Sequence, residues 1–498
     1  MTTLLAISPD DLLNSYLKPW ALMFNEIVFF KVSIFGAELP LIVAWLFFGA
    51  LFFTIYFKGI NIRGFFHALA LVRGDYSNPK EKGEVTHFQA LATAISGTVG
   101  LGNLGGVAVA VSVGGPGATF WMILAGFLGM SSKFVECTLG VKYRKFFLDK
   151  STAGGPMYYL SQGFEKKGWP KLGKGLGFFY ALAICVACFG LGNMFQSNQA
   201  YSLLVQVTGA EASFFNDRGW LVGILLATLV GAVIIGGIKR IATVAEFVVP
   251  FMAGTYILLA IYILGVNYDK IGETFLEIFT RAWEPLGIVG GFFGTMIAGF
   301  QRATLSNEAG IGSASIAHSA VKTDEPLTEG FVSLLEPFID TVVICTITAL
   351  VINITIYSPE TPMKEFTGIE LTSMAFGSAL TYGPYFLTVA VFLFAFSTII
   401  AWFYYGLQGW MYLVGHRENT DIFFKITFLV FVVVGCMVEL PVVLAFGDAL
   451  FFVLAIPNIF GLILMAPEVS QDLKSYQARV KSGEIINYRK LSKQNFDA

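Results

Sequence analysis

Residues 89–121 read QALATAISGTVGLGNLGGVAVAVSVGGPGATFW, apolar enough to cross a bilayer yet crowded at the centre by Gly97, Gly100, Gly102, Gly105 and Gly106. Each glycine costs a helix interior about 1 kcal/mol relative to alanine, so helix stability did not place them. A backbone that unwinds at membrane depth exposes N–H and C=O groups that lipid cannot satisfy, so the break has to line a cavity or hold a ligand. Freed amides attract carboxylates and freed carbonyls attract cations. The same glycines would also suit a helix packed closely on a neighbour through small residues. Ser96, Thr98 and Asn103, interleaved among them, favour a broken helix with a polar task.

The chain around this stretch has 498 residues, 55% of them hydrophobic and 13% charged, with mean hydropathy +0.69. That composition excludes a soluble multidomain protein and reads as an all-α polytopic membrane protein. The opening MTTLLAISPDD lacks the basic region of a cleavable signal peptide, so the apolar segments themselves are expected to direct insertion. Cys137, Cys185, Cys188, Cys345 and Cys436 all lie in apolar segments; the Cys185–Cys188 CxxC has no second ligand pair and reads as buried small hydrophobes. No HExxH, no GxSxG with partners and no GxxxxGK[ST] occurs, so neither an enzyme nor a cofactor is expected.

Hydropathy places spans at 39–57, across the glycine-rich stretch, and at 118–141, 176–205, 220–238 and 241–264. A second set lies at 287–320, 331–357, 380–414, 422–438 and 442–466, for about eleven transmembrane helices. Basic connections at 58–82 and 142–174, Lys239 and Arg240, and a tail with Lys474, Arg479, Lys481, Arg489, Lys490 and Lys493 alternate with basic-poor ones. One threading satisfies them: a multi-pass protein of the cell membrane, basic loops and C-terminus cytoplasmic, N-terminus outside. The basic clusters are topology signals, and no nucleic-acid partner is expected. Setting the first span apart leaves ten, which split into two inverted sets of five, each opening on an interrupted helix. The division is 1–87 (N-terminal segment with the extra helix), 88–265 (first repeat), 266–466 (second repeat) and 467–498 (basic tail).

In the second interrupted helix, Gly294, Thr295, Met296, Ala298 and Gly299 mark the expected break, where backbone groups would meet the polar end of a small substrate and Met296 would bound its side chain. A packing face is the alternative. Beyond it come Arg302, Ser306, Asn307, Glu308, Ala309 and Gly310. Arg302 reads either as a ligand contact or as part of an ion-pair network with Lys133 and Glu136, which share a helix face. Glu336 and Asp340, one turn apart beside Pro337, suit a proton or cation path, a gate, or a structural pair; Glu246 and Asp448 have no partner that the sequence names. Gln196 lies one turn after Gly192, which opens space that the amide could use for a ligand or for an interhelical bond. In FAFSTIIAWFYYGLQ (394–408), the adjacent hydroxyls of Ser397 and Thr398 precede Trp402. Neutral hydroxyl and carbonyl oxygens suit a weakly held alkali cation, although such hydroxyls also bond back to their own helix.

These pieces together resemble the alanine or glycine:cation symporter family, also called sodium:alanine symporters, of the amino acid-polyamine-organocation superfamily. The matching motifs are HFQALATAISGTVGLGN (87–103), GVAVAVSVGGPGATFWM (106–122), GGPMYY (154–159), GNMFQSN (192–198), SNEAGIGSA (306–314) and FIDTVVICT (338–346). VGLGN (99–103) is also similar to the unwound first helix of neurotransmitter:sodium symporters, whose fold is an inverted five-plus-five bundle. The resemblance implies sodium-coupled import of alanine or glycine by alternating access, with a proton-coupled or exchange carrier as the alternative. It implies sodium on main-chain oxygens of Ser96, Val99 and Phe394 and on the hydroxyls of Ser397 and Thr398. A substrate carboxylate would meet the amides of Gly100, Leu101 and Gly102 beside Thr98 and Asn103, with Met296, Gly299, Gln196, Thr398 and Trp402 shaping the remaining pocket. Leu101 stands where many relatives have Thr and Ala401 where many have Gly; the first adds bulk near the pocket.

Overall fold

The computed structural model describes residues 19, 22–34, 37–78, 81–147, 151–284, 291–357 and 368–489. The start of the predicted 287–320 span, and Lys490 and Lys493 of the tail, lie outside the described residues. The chain is helical almost throughout, with two small antiparallel hairpins: β1 (Lys31–Ile34) with β2 (Ala37–Pro40), and β3 (Lys145–Phe146) with β4 (Thr152–Ala153).

Helix α1 (Leu41–Tyr56) starts after Pro40, and its Trp45 Nε1 donates to Ala455 O at 3.2 Å, tying the extra helix to the far end of the chain. The short α2 (Phe65–Val72) follows. Helix α3 (His87–Thr98) opens on a reciprocal cap: Gln89 N–H donates to Thr86 Oγ1 and Thr86 N–H to Gln89 Oε1, which satisfies two orphan donors. It stops at Val99, whose ψ of 89° leaves the helical region. The chain resumes as a π-helical turn, Gly102–Gly106, leading into α4 (Val107–Gly114). The two halves are bent by 52°, so the glycine-rich stretch is a broken helix.

There follow α5 (Gly117–Lys142), α6 (Pro156–Lys166) and α7 (Pro170–Ala187), which passes through the π turn Gly190–Met194 into α8 (Phe195–Val207). Next come α9 (Gly219–Ile234), α10 (Gly237–Val266) and α11 (Tyr268–Arg281). The second half holds α12 (Gly291–Asn307), α13 (Ala314–His318) and α14 (Pro326–Val332); the turn Leu335–Pro337 and the π-helical stretch Phe338–Cys345 then lead into α15 (Thr346–Thr355). The chain closes with α16 (Ile369–Ala379), α17 (Gly383–Val414), α18 (Glu418–Gly435), α19 (Leu440–Phe452) and α20 (Ala455–Ser482). Six described helices are long and apolar enough to cross a bilayer, seven with the bent pair; α1 and α9 are shorter apolar helices. The protein is multi-pass.

The second break is not where the sequence put it. Residues 294–299 lie inside the continuous α12, and the chain opens instead between α12 and α13, where Glu308, Gly310 and Gly312 have φ of +56°, +88° and +91°. Gly299 serves packing: a Cβ there would lie 2.6 Å from Ala118 O on α5. Helix α5 is the buried hub. Its Gly126, Gly129 and Gly140 let Thr341, Ala309 and Ser315 approach so closely that an added Cβ would meet each neighbour at under 3 Å: 2.8, 2.8 and 2.7 Å.

Candidate functional site

The two breaks face a small cavity closed by α8, α17 and α19. Its walls include Thr98, Gly102, Gln196, Glu308, Thr398 and Trp402, and the space open to the centre of a water-sized sphere is about 40 Å³. At about 10–15 Å³ per water position, that is room for roughly three waters, the scale of a ligand with a handful of heavy atoms.

The unwound backbone is held by side chains. Gly100 N–H donates to Asn103 Oδ1 at 2.8 Å, Leu101 N–H donates to Gln196 Oε1 at 3.2 Å, and Asn103 N–H donates to Gly100 O at 3.2 Å. In an unbroken helix those three donors would have gone to the carbonyls of Ser96, Gly97 and Val99, which the break therefore releases. Against them lies the middle of α17. Ser96 Oγ donates to Ser397 O at 2.6 Å, and Ser397 Oγ donates to Phe394 O at 3.0 Å. Thr398 Oγ1 is buried with no hydrogen-bond partner. Gly100 is required at this approach, since a Cβ would stand 2.6 Å from Thr398 Oγ1 and 3.2 Å from Gln196 Oε1. The structure thus brings Ser96 and Gly100 of the first break against Ser397 and Thr398 of α17, neutral groups with one hydroxyl unsatisfied; an alkali cation takes such oxygens.

Other predicted residues divide. Thr98, Gly102, Gln196 and Trp402 line the cavity. Asn103 is fully buried behind it, and its Nδ2 donates to Asp340 Oδ1 at 2.6 Å. Thr295, Met296 and Gly299 are not among the lining residues. Thr295 Oγ1 donates to Gly114 O at 3.3 Å, Gly299 packs on α5, and Met296 is half-buried against the core. The space beside Gly192 is also not left for a ligand: the Trp402 indole fills it, with Cγ 2.2 Å from where a Cβ would be. Gln196, instead of reaching into that space, clasps the break, its Nε2 donating to Leu191 O at 3.1 Å.

The buried charges pair differently from the network anticipated. Arg302 Nη1 stands 3.7 Å from Asp448 Oδ2 at the cavity wall, whereas Lys133 Nζ donates to Glu336 Oε1 at 2.8 Å. Glu136 Oε1 accepts from Gly310 N–H at 2.7 Å and from Asn458 Nδ2 at 3.0 Å. Glu246 accepts from Gln89 Nε2 at 2.9 Å. Sequence reasoning missed one cluster: Glu329, whose two oxygens lie 2.5 Å from His87 Nδ1 and His318 Nδ1. It also missed Glu308 as cavity wall, although SNEAG signalled it, and the wall residues Leu444 and Phe451 of α19, which carry no sequence signal beyond hydrophobicity.

A multi-pass helical chain with two broken helices closing on a small, largely apolar cavity that carries a few polar side chains is built as a membrane transporter. The structure of MhsT in complex with L-phenylalanine shares the fold, with a TM-score of 0.54 over 76% of this chain and 89% of that one at 16% identity. The chain belongs to the sodium:alanine symporter family, whose model matches residues 23–490. It is 38% identical over 438 residues to the sodium/alanine symporter AgcS of Methanococcus maripaludis, covering 88% of this chain and 94% of that relative. It is 34% identical over 435 residues to the amino-acid carrier protein AlsT of Bacillus subtilis, covering 87% and 88%. The family is one of transporters, not enzymes.

Proposed function

We propose that the protein imports small neutral amino acids, alanine or glycine, with sodium as the coupling ion. The observation that carries this reading is the unpartnered Thr398 hydroxyl, packed against Gly100 of the unwound backbone at the edge of a cavity of about 40 Å³. Sodium binds the carbonyls of Ser96, Val99 and Phe394 and the hydroxyls of Ser397 and Thr398. The substrate carboxylate takes over the amides of Gly100, Leu101 and Gly102 as Asn103 and Gln196 release them; Thr98, Gln196 and Trp402 bound the rest. A full-size side chain has no room, which supports alanine or glycine over larger substrates.

Alternating access moves two inverted sets of five helices, 88–265 and 266–466, past each other around this site, within about eleven spans. The extra helix (1–87) and the basic tail (467–498) flank them. Basic loops and the C-terminus face the cytoplasm across the cell membrane, and the N-terminus lies outside. A potential of about 100 mV supplies ~2.3 kcal/mol per charge, and a tenfold sodium gradient adds ~1.4 kcal/mol. One sodium therefore supports accumulation of a neutral solute on the order of several hundred-fold.

Uptake of radiolabelled L-alanine into proteoliposomes is the test. A sodium gradient is expected to raise accumulation severalfold over a potassium control. Equal uptake under both conditions sinks the coupling, and no saturable uptake of alanine or glycine sinks the substrate class.

A further inference from the structure

Glu308 is the first residue past α12, at the second break, and it stands in the wall of the cavity between the two breaks. It is only 2% exposed. Neutral groups hold its carboxylate: Trp402 Nε1 donates to Oε1 at 3.0 Å, and the Ser313 hydroxyl donates to Oε2. Those donors come from α17 and from the residue just before α13, so the carboxylate is fixed in place by two separate elements. Each carboxylate oxygen offers about two acceptor sites, and one bond on each leaves capacity for further donors.

Among the described residues, no basic side chain forms an ion pair with Glu308. Lys133 on α5 is paired with Glu336 at 2.8 Å, and Arg302 on α12 stands 3.7 Å from Asp448. A buried carboxylate without a counter-charge is costly, and it is retained where something that visits the site supplies the missing charge.

A chamber with room for roughly three waters puts every polar group of its ligand against a wall. An amino acid brings two opposite charges on one carbon, and its carboxylate goes to the amides of the first break. Its ammonium has three donors and needs an anionic acceptor. Of the polar side chains in the wall, Thr98, Gln196 and Thr398 are neutral, while Arg302 and Trp402 only donate. Asp448 already has Arg302 beside it. Glu308 is the wall's remaining anion.

We propose that Glu308 binds the α-ammonium group of the substrate, opposite the amides of 100–102 that take its carboxylate. This rests on the amino-acid import reading above and defines its substrate class more closely: the ligand must be a zwitterion. A hydroxy acid of the same size carries a hydroxyl where the ammonium would be. It leaves Glu308 unpaired and adds a second negative charge to the chamber, so it is rejected although it fits.

The test measures binding of L-alanine to the purified full-length protein in saturating sodium, with L-lactate, the matching hydroxy acid, as competitor. Wild type is expected to prefer L-alanine by more than about hundredfold. Glu308→Gln keeps an acceptor for Trp402 Nε1 and removes the charge. Its Kd for alanine is expected to rise about hundredfold while lactate binding holds or improves, so the preference collapses. Sodium alone should still raise the melting temperature of this variant as it does that of wild type. Glu308→Asp, which withdraws the charge by one methylene, should have an intermediate preference, and it decides if the Gln variant does not fold. A preference undiminished in these variants, a sodium response lost together with alanine binding, or a preference that collapses in Asp448→Asn but not in Glu308→Gln overturns this inference and leaves the import reading intact. Wild type that binds lactate as tightly as alanine overturns it too. No alanine binding at all in wild type overturns the import reading itself.

Discussion

The indole of Trp402 reaches from α17 to the second break, where its Nε1 donates to Glu308 Oε1 at 3.0 Å while the ring lies over Gly192. Glu308 is a non-glycine residue at φ +56°, a conformation that costs roughly 1–2 kcal/mol and persists only when its surroundings hold it. Trp402→Phe keeps the apolar plate and removes the donor. A hydrogen bond to a charged group contributes about 1.5–3 kcal/mol, so the variant is expected to lower the melting temperature in detergent and to weaken alanine binding by roughly tenfold. Calorimetric titration against wild type checks this; unaltered affinity and melting would show that the contact holds nothing in place.

Thr398 is the sharpest probe of the cation site. Thr398→Val preserves shape and deletes the hydroxyl, so the sodium concentration for half-maximal uptake is expected to rise about tenfold, the equivalent of ~1.4 kcal/mol. Membrane abundance should stay near wild type, because that hydroxyl makes no hydrogen bond in the protein. A sodium dependence identical to wild type rules this hydroxyl out as a ligand.

Lys133 and Glu336 form a fully buried ion pair at 2.8 Å. Removing one partner strands the other charge, at about 3–5 kcal/mol. Lys133→Met is therefore expected to melt well below wild type, and Lys133→Met with Glu336→Gln to recover much of the loss. Thermal unfolding in detergent measures both. A double variant no better than the single would mean that the pair acts through something other than charge balance.

His67, on α2 outside the spans, lies 2.9 Å from the Tyr476 hydroxyl of α20, and burial lowers its pKa from 6.5 to about 4. Folding thus disfavours its protonation. Above pH 6.5 the histidine is neutral folded or unfolded and its contribution is complete; as pH falls from 6.5 toward about 4, the unfolded chain binds the proton first and stability declines. Loosening of α2 from α20 is expected over that window, and His67→Gln should flatten it. Hydrogen exchange of 65–72 at pH 7.5 and 5 reads the difference. Equal protection at both pH values in wild type would contradict the assignment.

The first break was legible because it is written locally: glycines, hydroxyls and an asparagine interrupt an otherwise apolar span, and the chain leaves the helix at Val99. The second was misplaced because glycines that admit a neighbouring helix look like glycines that permit positive φ. Gly299 is of the first kind, Gly310 and Gly312 of the second. Gly192 misled in the same way, its open space belonging to Trp402. The charged residues were visible as unusual, but their partners were not.

Local patterning was enough to declare a polytopic membrane chain with an unwound helix and a Ser397–Thr398 hydroxyl pair, since hydropathy and glycine content act within a single segment. Tertiary packing alone decided that Lys133 answers Glu336 across 203 residues, that Asn103 reaches Asp340 across 237, and that the chamber holds only a few atoms. Those outcomes depend on how closely separate helices approach, and that distance is set by the side chains of both partners at once.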